Sequence, residues 1–415
     1  MTPEIEKRIK AVQAGRVPAG YKKSKVGIVP KEWDVCQLSN YLVINNEKNV
    51  NDLYTIDDVF SVSGEYGIVN QIEFMGRSYA GESLSGYRVV YPNDIVYTKS
   101  PLKSNPYGIV KANRTDKSGI VSVLYSIYHC KENVVPYYVE LYFALDVNLN
   151  NYLRPLVHIG PKHNMLISDA HVLDGLIPFP PIGEQKKITE ILATQDRVIE
   201  LKEKLIAEKQ SQKKYLMSVL LGDDFKKPFK LNGVTIDKKK WEKKKLGEIA
   251  TLKTGSLPQS INNVGPYYYV NAGCENSGYT DSFNCEGNVI TTPSRGQGGI
   301  GEVFYQEKPF WLGPLSYKIM VLKDISVKYV FYAMLFYKRK IKDEMKTGSI
   351  PAVNAGDLEK IKYNLPTLPE QKAIADVLSA ADEEISLLQK DLEQEKLKKK
   401  SLMQLLLTGL VRVKV

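Results

Sequence analysis

The run Glu184-Gln185-Lys186-Lys187-Ile188 recurs as Glu370-Gln371-Lys372-Ala373-Ile374, and each copy opens a long charged stretch that ends in Leu-Met and a leucine run. At this constant offset of 186 (370 against 184), Leu192 matches Leu378, Asp196 matches Asp382 and Ile199 matches Ile385. Lys213-Lys214 then matches Lys399-Lys400, and Leu216-Met217 matches Leu402-Met403, with no gap anywhere. About ten helical turns, at roughly 3.6 residues each, stay in register. A chain with this pattern is built twice.

Weaker landmarks extend the repeat upstream. Trp33 followed by Leu38 pairs with Trp241 followed by Leu246, Asp94-Ile95-Val96 with Asn288-Val289-Ile290, Gly119 with Gly313, Tyr138-Val139 with Tyr329-Val330, and Gly160 with Gly348. The separation shrinks from 208 at the tryptophans to 186 at the helices, as loop insertions and deletions produce between two diverged copies of one unit. The period is far too long for a solenoid, so the expectation is a duplicated globular part plus helix. The boundaries read as 1–180 for a first globular part, 181–222 for a first long helix, 223–365 for a second globular part and 366–415 for a second long helix.

Composition narrows the class. With 43% hydrophobic residues and 10% aromatics over 415 positions, the chain can bury proper cores. Cys36, Cys130, Cys274 and Cys285 have neither C-x-x-C spacing nor the density of a disulfide scaffold, which points to a reducing compartment and a cytoplasmic protein. The first ten residues lack the apolar stretch of a signal peptide, and the longest apolar runs are about half a membrane span. The net charge of +10, with nine lysines crowded between Lys226 and Lys245, favours a polyanionic partner.

Both long helices carry a start signal. Pro180-Pro181-Ile182-Gly183 and Pro366-Thr367-Leu368-Pro369 are extended lead-ins, and the Glu-Gln pair that follows puts a carboxylate at the positive end of the helix dipole. One apolar face runs through Ile188, Leu192, Ile199, Leu216 and Leu220, and its echo through Ile374, Leu378, Ile385, Leu402 and Leu406; these are the candidate partner-helix interface. A rod of roughly 57 Å, at 1.5 Å per residue, outreaches either globular part. Twofold-related copies would pair the two helices antiparallel, coiled-coil-like, with a globular part at each end.

The globular parts read as α+β, with strands expected at Asp94 to Thr98, Gly119 to Tyr128, Tyr267 to Asn271, Asn288 to Thr292 and Gly301 to Tyr305. Short helices are expected at Tyr137 to Leu145 and Lys328 to Tyr337. Gly296, Gly298 and Gly301 spell G-x-G-x-x-G but lead into a strand, whereas a dinucleotide site needs a helix N-terminus there. They read instead as a hairpin tip, flanked by side chains that bond base edges and phosphates. The candidate DNA contacts are Arg77, Lys99, Ser100, Lys103, Ser104, Lys162 and His163 in the first unit, and Lys253, Ser294, Arg295, Gln297 and Lys346 in the second. Asn105-Pro106-Tyr107 lacks a proline of the N-P-P-Y methyltransferase signature and reads as a turn. No zinc spacing, P-loop, G-x-S-x-G or nuclease pattern is present, so no catalytic residue, metal or cofactor is expected.

With these residues in view, the chain closely resembles the specificity (S) subunits of type I restriction-modification systems. The resemblance rests on Pro30 to Trp33 and its echo at Trp241, the two P-x-x-x-E-Q-x-x-I helix openings at Pro180 to Ile188 and Pro366 to Ile374, and the paired K-K-x-L-M endings. Gly183 stands where the second copy has Pro369, a weaker cap. The resemblance implies a non-catalytic DNA-recognition subunit: two target-recognition domains, each reading half of a split asymmetric sequence, and spacer helices that dock methyltransferase (M) subunits, with restriction (R) subunits completing the nuclease. A competing reading is a coiled-coil scaffold whose globular ends bind proteins. Salt-dependent retention on DNA separates the two.

Overall fold

The computed structural model describes residues 2–50, 52–99, 106–159, 165–223, 227–296, 299–345 and 351–414. They fall into two compact units, 1–201 with 392–415, and 202–391. Each long helix therefore contributes one stretch to each unit.

The first unit is organised around β1 (Asp34–Gln37), β2 (Leu42–Asn45), β3 (Ile95–Thr98), β4 (Ile109–Ala112) and β5 (Tyr125–Cys130). Strands β2-β5-β3-β4 form an antiparallel sheet in that order, with Ile127 opposite Asn45 on one side and Val96 on the other. All four residues of β3 are buried because both faces of the sheet are covered. Side chains alternate across a strand. Ile95 and Tyr97 accordingly join the main core with Trp33, Tyr128 and Tyr138, while Val96 joins a smaller one with Phe60, Val90, Val121 and Ile127. Helix α1 (Pro136–Phe143) lies against β4, and β6 (Leu176–Phe179) pairs with β1 before α2 (Ile182–Leu221) begins.

The second unit repeats this plan. It contains β7 (Glu242–Lys245), β8 (Ala250–Thr254), β9 (Val289–Pro293), β10 (Phe304–Gln306), β11 (Ser316–Val321), α3 (Val327–Phe336), β12 (Lys362–Leu365) and α4 (Leu368–Leu407). Its sheet order is β8-β11-β9-β10, so in both units the first strand pairs with the fourth, the fourth with the second and the second with the third. The β1/β6 ribbon has its counterpart in β7/β12.

Two strand expectations need correction. Gly119 to Tyr128 is not one strand: residues 119–121 pair with Arg88–Val90, β5 starts afresh at Tyr125, and Tyr125 N–H closes a turn on Ser122 O at 3.0 Å. Val123 and Leu124 at this turn are exposed, so the apolar run hides a corner. Gly301 to Tyr305 also fails as a strand. Gly301 has φ +87°, Glu302 N–H turns back to Gly299 O at 3.1 Å, and β10 starts only at Phe304.

The long helices pair antiparallel inside each unit. In the first, Ile188 and Leu192 share a core with Met403, Leu406 and Leu407, Leu402 packs at its edge, and Gln195 Nε2 donates to Glu395 Oε2 at 2.6 Å. In the second, Leu220 and Leu221 share a core with Ile374 and Leu378, and Leu216 lies at its edge. Ile385 is buried, and Ile199 is half-buried. The duplication is visible in the ion pairs: Asp196 binds Lys399, and their repeat equivalents Asp382 and Lys213 bind each other.

Candidate nucleic-acid interface

The repeated Glu-Gln pair fastens the globular part of each unit to its long helix. Glu184 Oε2 accepts the indole N–H of Trp33 at 3.0 Å, and Glu370 Oε1 accepts that of Trp241 at 3.1 Å. Gln185 Oε1 takes the Val135 N–H just before α1 at 2.9 Å, while its Nε2 donates to Pro180 O at 2.9 Å. Gln371 does the same with Ser326 N–H and Pro366 O, both at 2.8 Å. These are buried polar groups given full partners, as buried groups must be. Burial alone would raise the Glu370 carboxyl, but bonds from Asp237 N–H, Thr367 and Trp241 outweigh it and hold it below the usual carboxylate range. Glu184 additionally receives Arg412 at 2.7 and 2.8 Å.

In the first unit, Lys99 follows the last residue of β3, half-buried, with Nζ 2.9 Å from Asp169 Oδ1. Asp169 also binds Arg88 and accepts a 2.6 Å bond from Ser126 Oγ. Burial pushes this carboxyl up, yet bonds from Ser126, Lys99 and Arg88 prevail and bring it down to about 2. Lys99 is thus anchored just after β3 by an acid that sequence reasoning did not single out. Nothing local in Ser168-Asp169-Ala170 advertises a partner 70 positions upstream. Arg77 is exposed, its guanidinium 4.7 Å from the Tyr79 ring centroid. Ser100, Lys103, Ser104, Lys162 and His163 lie outside the described residues.

In the second unit, Lys253 is exposed near the end of β8, opposite Lys318 of β11. Ser294 is 6% exposed, and its carbonyl accepts Val353 N–H at 2.9 Å. Arg295 is exposed, bridged to Ala352, and Gly296 N–H reaches Pro351 O at 3.2 Å. The β9–β10 connection is therefore pinned along one limb rather than projecting as a free tip. Gln297 and Lys346 lie outside the described residues.

Beside this limb is a cleft of about 220 Å³ lined by Tyr268, Asn271, Asn276, Thr291, Pro293 and Gln306, among others. Gln306 Nε2 donates to Thr291 Oγ1 at 3.0 Å, Tyr268 is half exposed, and Gly299 backs onto Gly273 at the rim. Phenol and amide groups of this kind bond to base edges in a groove. Sequence reasoning missed the cleft because its walls come from strands and loops far apart in the chain. Among the described residues, no group of three or more His, Cys, Asp or Glu could hold a metal ion, and no helix is long and apolar enough to cross a membrane.

Comparison with known proteins gives a consistent picture. The profile of the type I restriction modification DNA specificity domain matches residues 238–397. The chain is similar to the MjaX type I restriction enzyme specificity subunit of Methanocaldococcus jannaschii, 26% identical across 95% of this chain and 97% of that protein. It is also similar to the MjaVIII specificity subunit of the same organism, 28% identical over 57% of this chain and 62% of that one. Among solved structures, the type I restriction-modification S subunit from M. genitalium superposes with a TM-score of 0.60 at 18% identity, covering 92% of this chain and 97% of that chain. A chain from a structure of type I R-M system assembly and conformational transition superposes with a TM-score of 0.56 at 12% identity, over 92% and 99% of the two chains.

Proposed function

We propose that the chain is a type I restriction-modification specificity subunit, on the strength of its profile match and of a relative along nearly its whole length, and that it reads a bipartite, asymmetric DNA target, each unit taking one half. The observation that carries this reading is that both units share one strand order and one set of Trp-Glu-Gln fasteners, while their loops differ. A common scaffold with unlike loops suits two unlike half-sites. In each unit, polar side chains on and beside the sheet supply contacts: Arg77 and Lys99 just after β3 in the first, and Lys253 on β8, Arg295 just after β9 and the Tyr268–Gln306 cleft in the second. Major-groove contacts on one face of the duplex put the half-sites roughly one helical turn, about 34 Å, apart.

Helices α2 and α4 set that spacing and dock methyltransferase subunits, and restriction subunits complete the nuclease on DNA. The chain itself supplies recognition and no bond-making chemistry, and it works in the cytoplasm.

The test is to map methylated positions genome-wide in cells with and without this chain, and to assay the purified protein with and without its methyltransferase subunit. A split motif that vanishes with the chain is expected, with methyl transfer only by the reconstituted complex. Methyl transfer by the chain alone overturns the non-catalytic assignment, and an unchanged methylation map overturns the recognition role.

A further inference from the structure

The lysines crowded before β8 are left unused by the sheet and its loops. In the β7/β12 ribbon, Lys245 lies directly opposite Lys362, and Lys243 lies opposite Asn364. Alternation along a strand puts Lys243, Lys245 and Lys362 on one face, while Lys244 shares the other with buried Tyr363. All three are exposed. Like charges facing each other across a ladder destabilise it, so this pairing works against the fold.

Neighbouring groups increase the charge. Lys340 Nζ donates to Lys362 O at 3.2 Å, and burial together with Lys243 lowers its pKa, against the pull of Asp223. Asp223 is the acid facing this cluster, and Asn364 Nδ2 already occupies its Oδ1 at 2.9 Å. Glu248 caps the Lys245 N–H at 2.6 Å, while Lys244 pairs with Glu242 and Lys360 with Asp357. Among the described residues, Lys243, Lys245 and Lys362 have no carboxylate at ion-pair distance.

The first unit provides an internal control. Its equivalent ribbon pairs Gln37 with Leu176 and Val35 with Pro178, with no cation at any of these positions. The ribbon can thus be built without lysines, and the second copy carries them at a cost to its own stability.

We infer that the Lys243, Lys245 and Lys362 face of the second unit is a phosphodiester-binding surface that grips the backbone of double-stranded DNA without reading its sequence. With three exposed lysines spread along a two-stranded ribbon, the surface suits an extended polyanion rather than a single small anion. It rests on the DNA-binding reading above and adds a contact that the first unit lacks. Lysine serves here as a point charge, which positions DNA and carries no base information.

The experiment compares the full chain with the triple variant Lys243→Gln, Lys245→Gln, Lys362→Gln, titrated onto fluorescent duplexes of several sequences across a salt series. Each lost phosphate contact should flatten the log affinity against log salt slope by about 0.9, so the triple variant should be flatter by roughly 2 to 3. Affinity should fall by the same factor on every duplex, and the matching Lys→Arg triple should keep the wild-type slope.

Wild type that prefers one duplex while the Gln variant keeps its slope and affinity overturns the ribbon and leaves half-site reading intact. Wild type that binds all duplexes alike, with a flattened slope in the variant, keeps the ribbon and overturns half-site reading. Loss of methyltransferase binding in the Gln variant with DNA binding unchanged would assign the face to an acidic protein surface and sink the proposal. An unfolding midpoint of the Gln triple at or above that of wild type, as relief of the like-charge pairing predicts, together with an unchanged midpoint for the Arg triple, excludes misfolding as the cause.

Discussion

The indole N–H of Trp33 donates to Glu184 Oε2 at 3.0 Å across 151 positions of sequence. Trp241 and Glu370 reproduce the bond at 3.1 Å in the second unit. The Glu of the repeated motif is therefore more than a favourable charge at a helix start. It ties the lead-in of each recognition domain to its long helix.

Replacing either tryptophan by phenylalanine keeps most of the apolar volume and removes the donor. Trp33→Phe and Trp241→Phe should each cost about 1.5–3 kcal/mol, the worth of a bond to a charged group. Urea midpoints with unchanged m-values measure this. Glu184 keeps Arg412 and Glu370 keeps Thr367, so neither carboxylate is orphaned and the fold should survive.

The helix faces give a sharper contrast. Leu192 is fully buried and Leu201 is 50% exposed on the same helix. Leu192→Ala should destabilise by roughly 2–5 kcal/mol. Leu201→Ala should stay within about 0.5 kcal/mol. Equal effects at the two sites would refute the assigned helix face.

Asp169 predicts a pH dependence. Its folded pKa is about 2, below the unfolded value of about 3.9. A depressed carboxyl contributes stability that is complete above the unfolded pKa and lost as pH falls through the folded one. The stability gap between wild type and Asp169→Asn should thus be widest above about pH 5 and close toward pH 2. Urea unfolding at a series of pH values checks this, and a gap independent of pH would contradict it. The same variant frees Lys99 and Arg88 from their shared acid.

Arg295 is exposed beside a backbone limb fixed to Ala352 and Pro351. A cation on a fixed limb can address one base. Arg295→Ala is expected to relax preference at a single position of one half-site by about 1–3 kcal/mol, read from binding to a panel of singly substituted duplexes. A uniform loss with a salt slope lower by about 0.9 would make it a phosphate contact instead, and no change at all would remove it from the interface.

Much of this architecture was legible from the chain alone. Because helical periodicity and exact repetition are local, one-dimensional signals, the two long helices, their apolar faces and the 186-residue offset could be read directly. The α+β character and the short helices before the spacer were legible for the same reason. The Glu-Gln motif was visible as a helix start, although its partners, Trp33, Val135 and their echoes, were not.

What tertiary structure decided lies at long range. Gly119 to Tyr128 reads as one strand, but its two ends belong to different sheets, so a corner forms where local pattern shows none. Lys99 and Ser294 look alike as polar residues in the sequence, yet one is tied to Asp169 and the other is buried, its backbone bonded to Leu315 and Val353. The lysine run before β8 reads as diffuse charge until ladder register sets Lys245 against Lys362. Sequence determines which residues prefer a helix, a strand face or solvent, because those preferences act over a few neighbours. Which donor meets which carboxylate depends on chain segments brought together from 70 to 151 positions apart, and that pairing is settled only when the whole core closes.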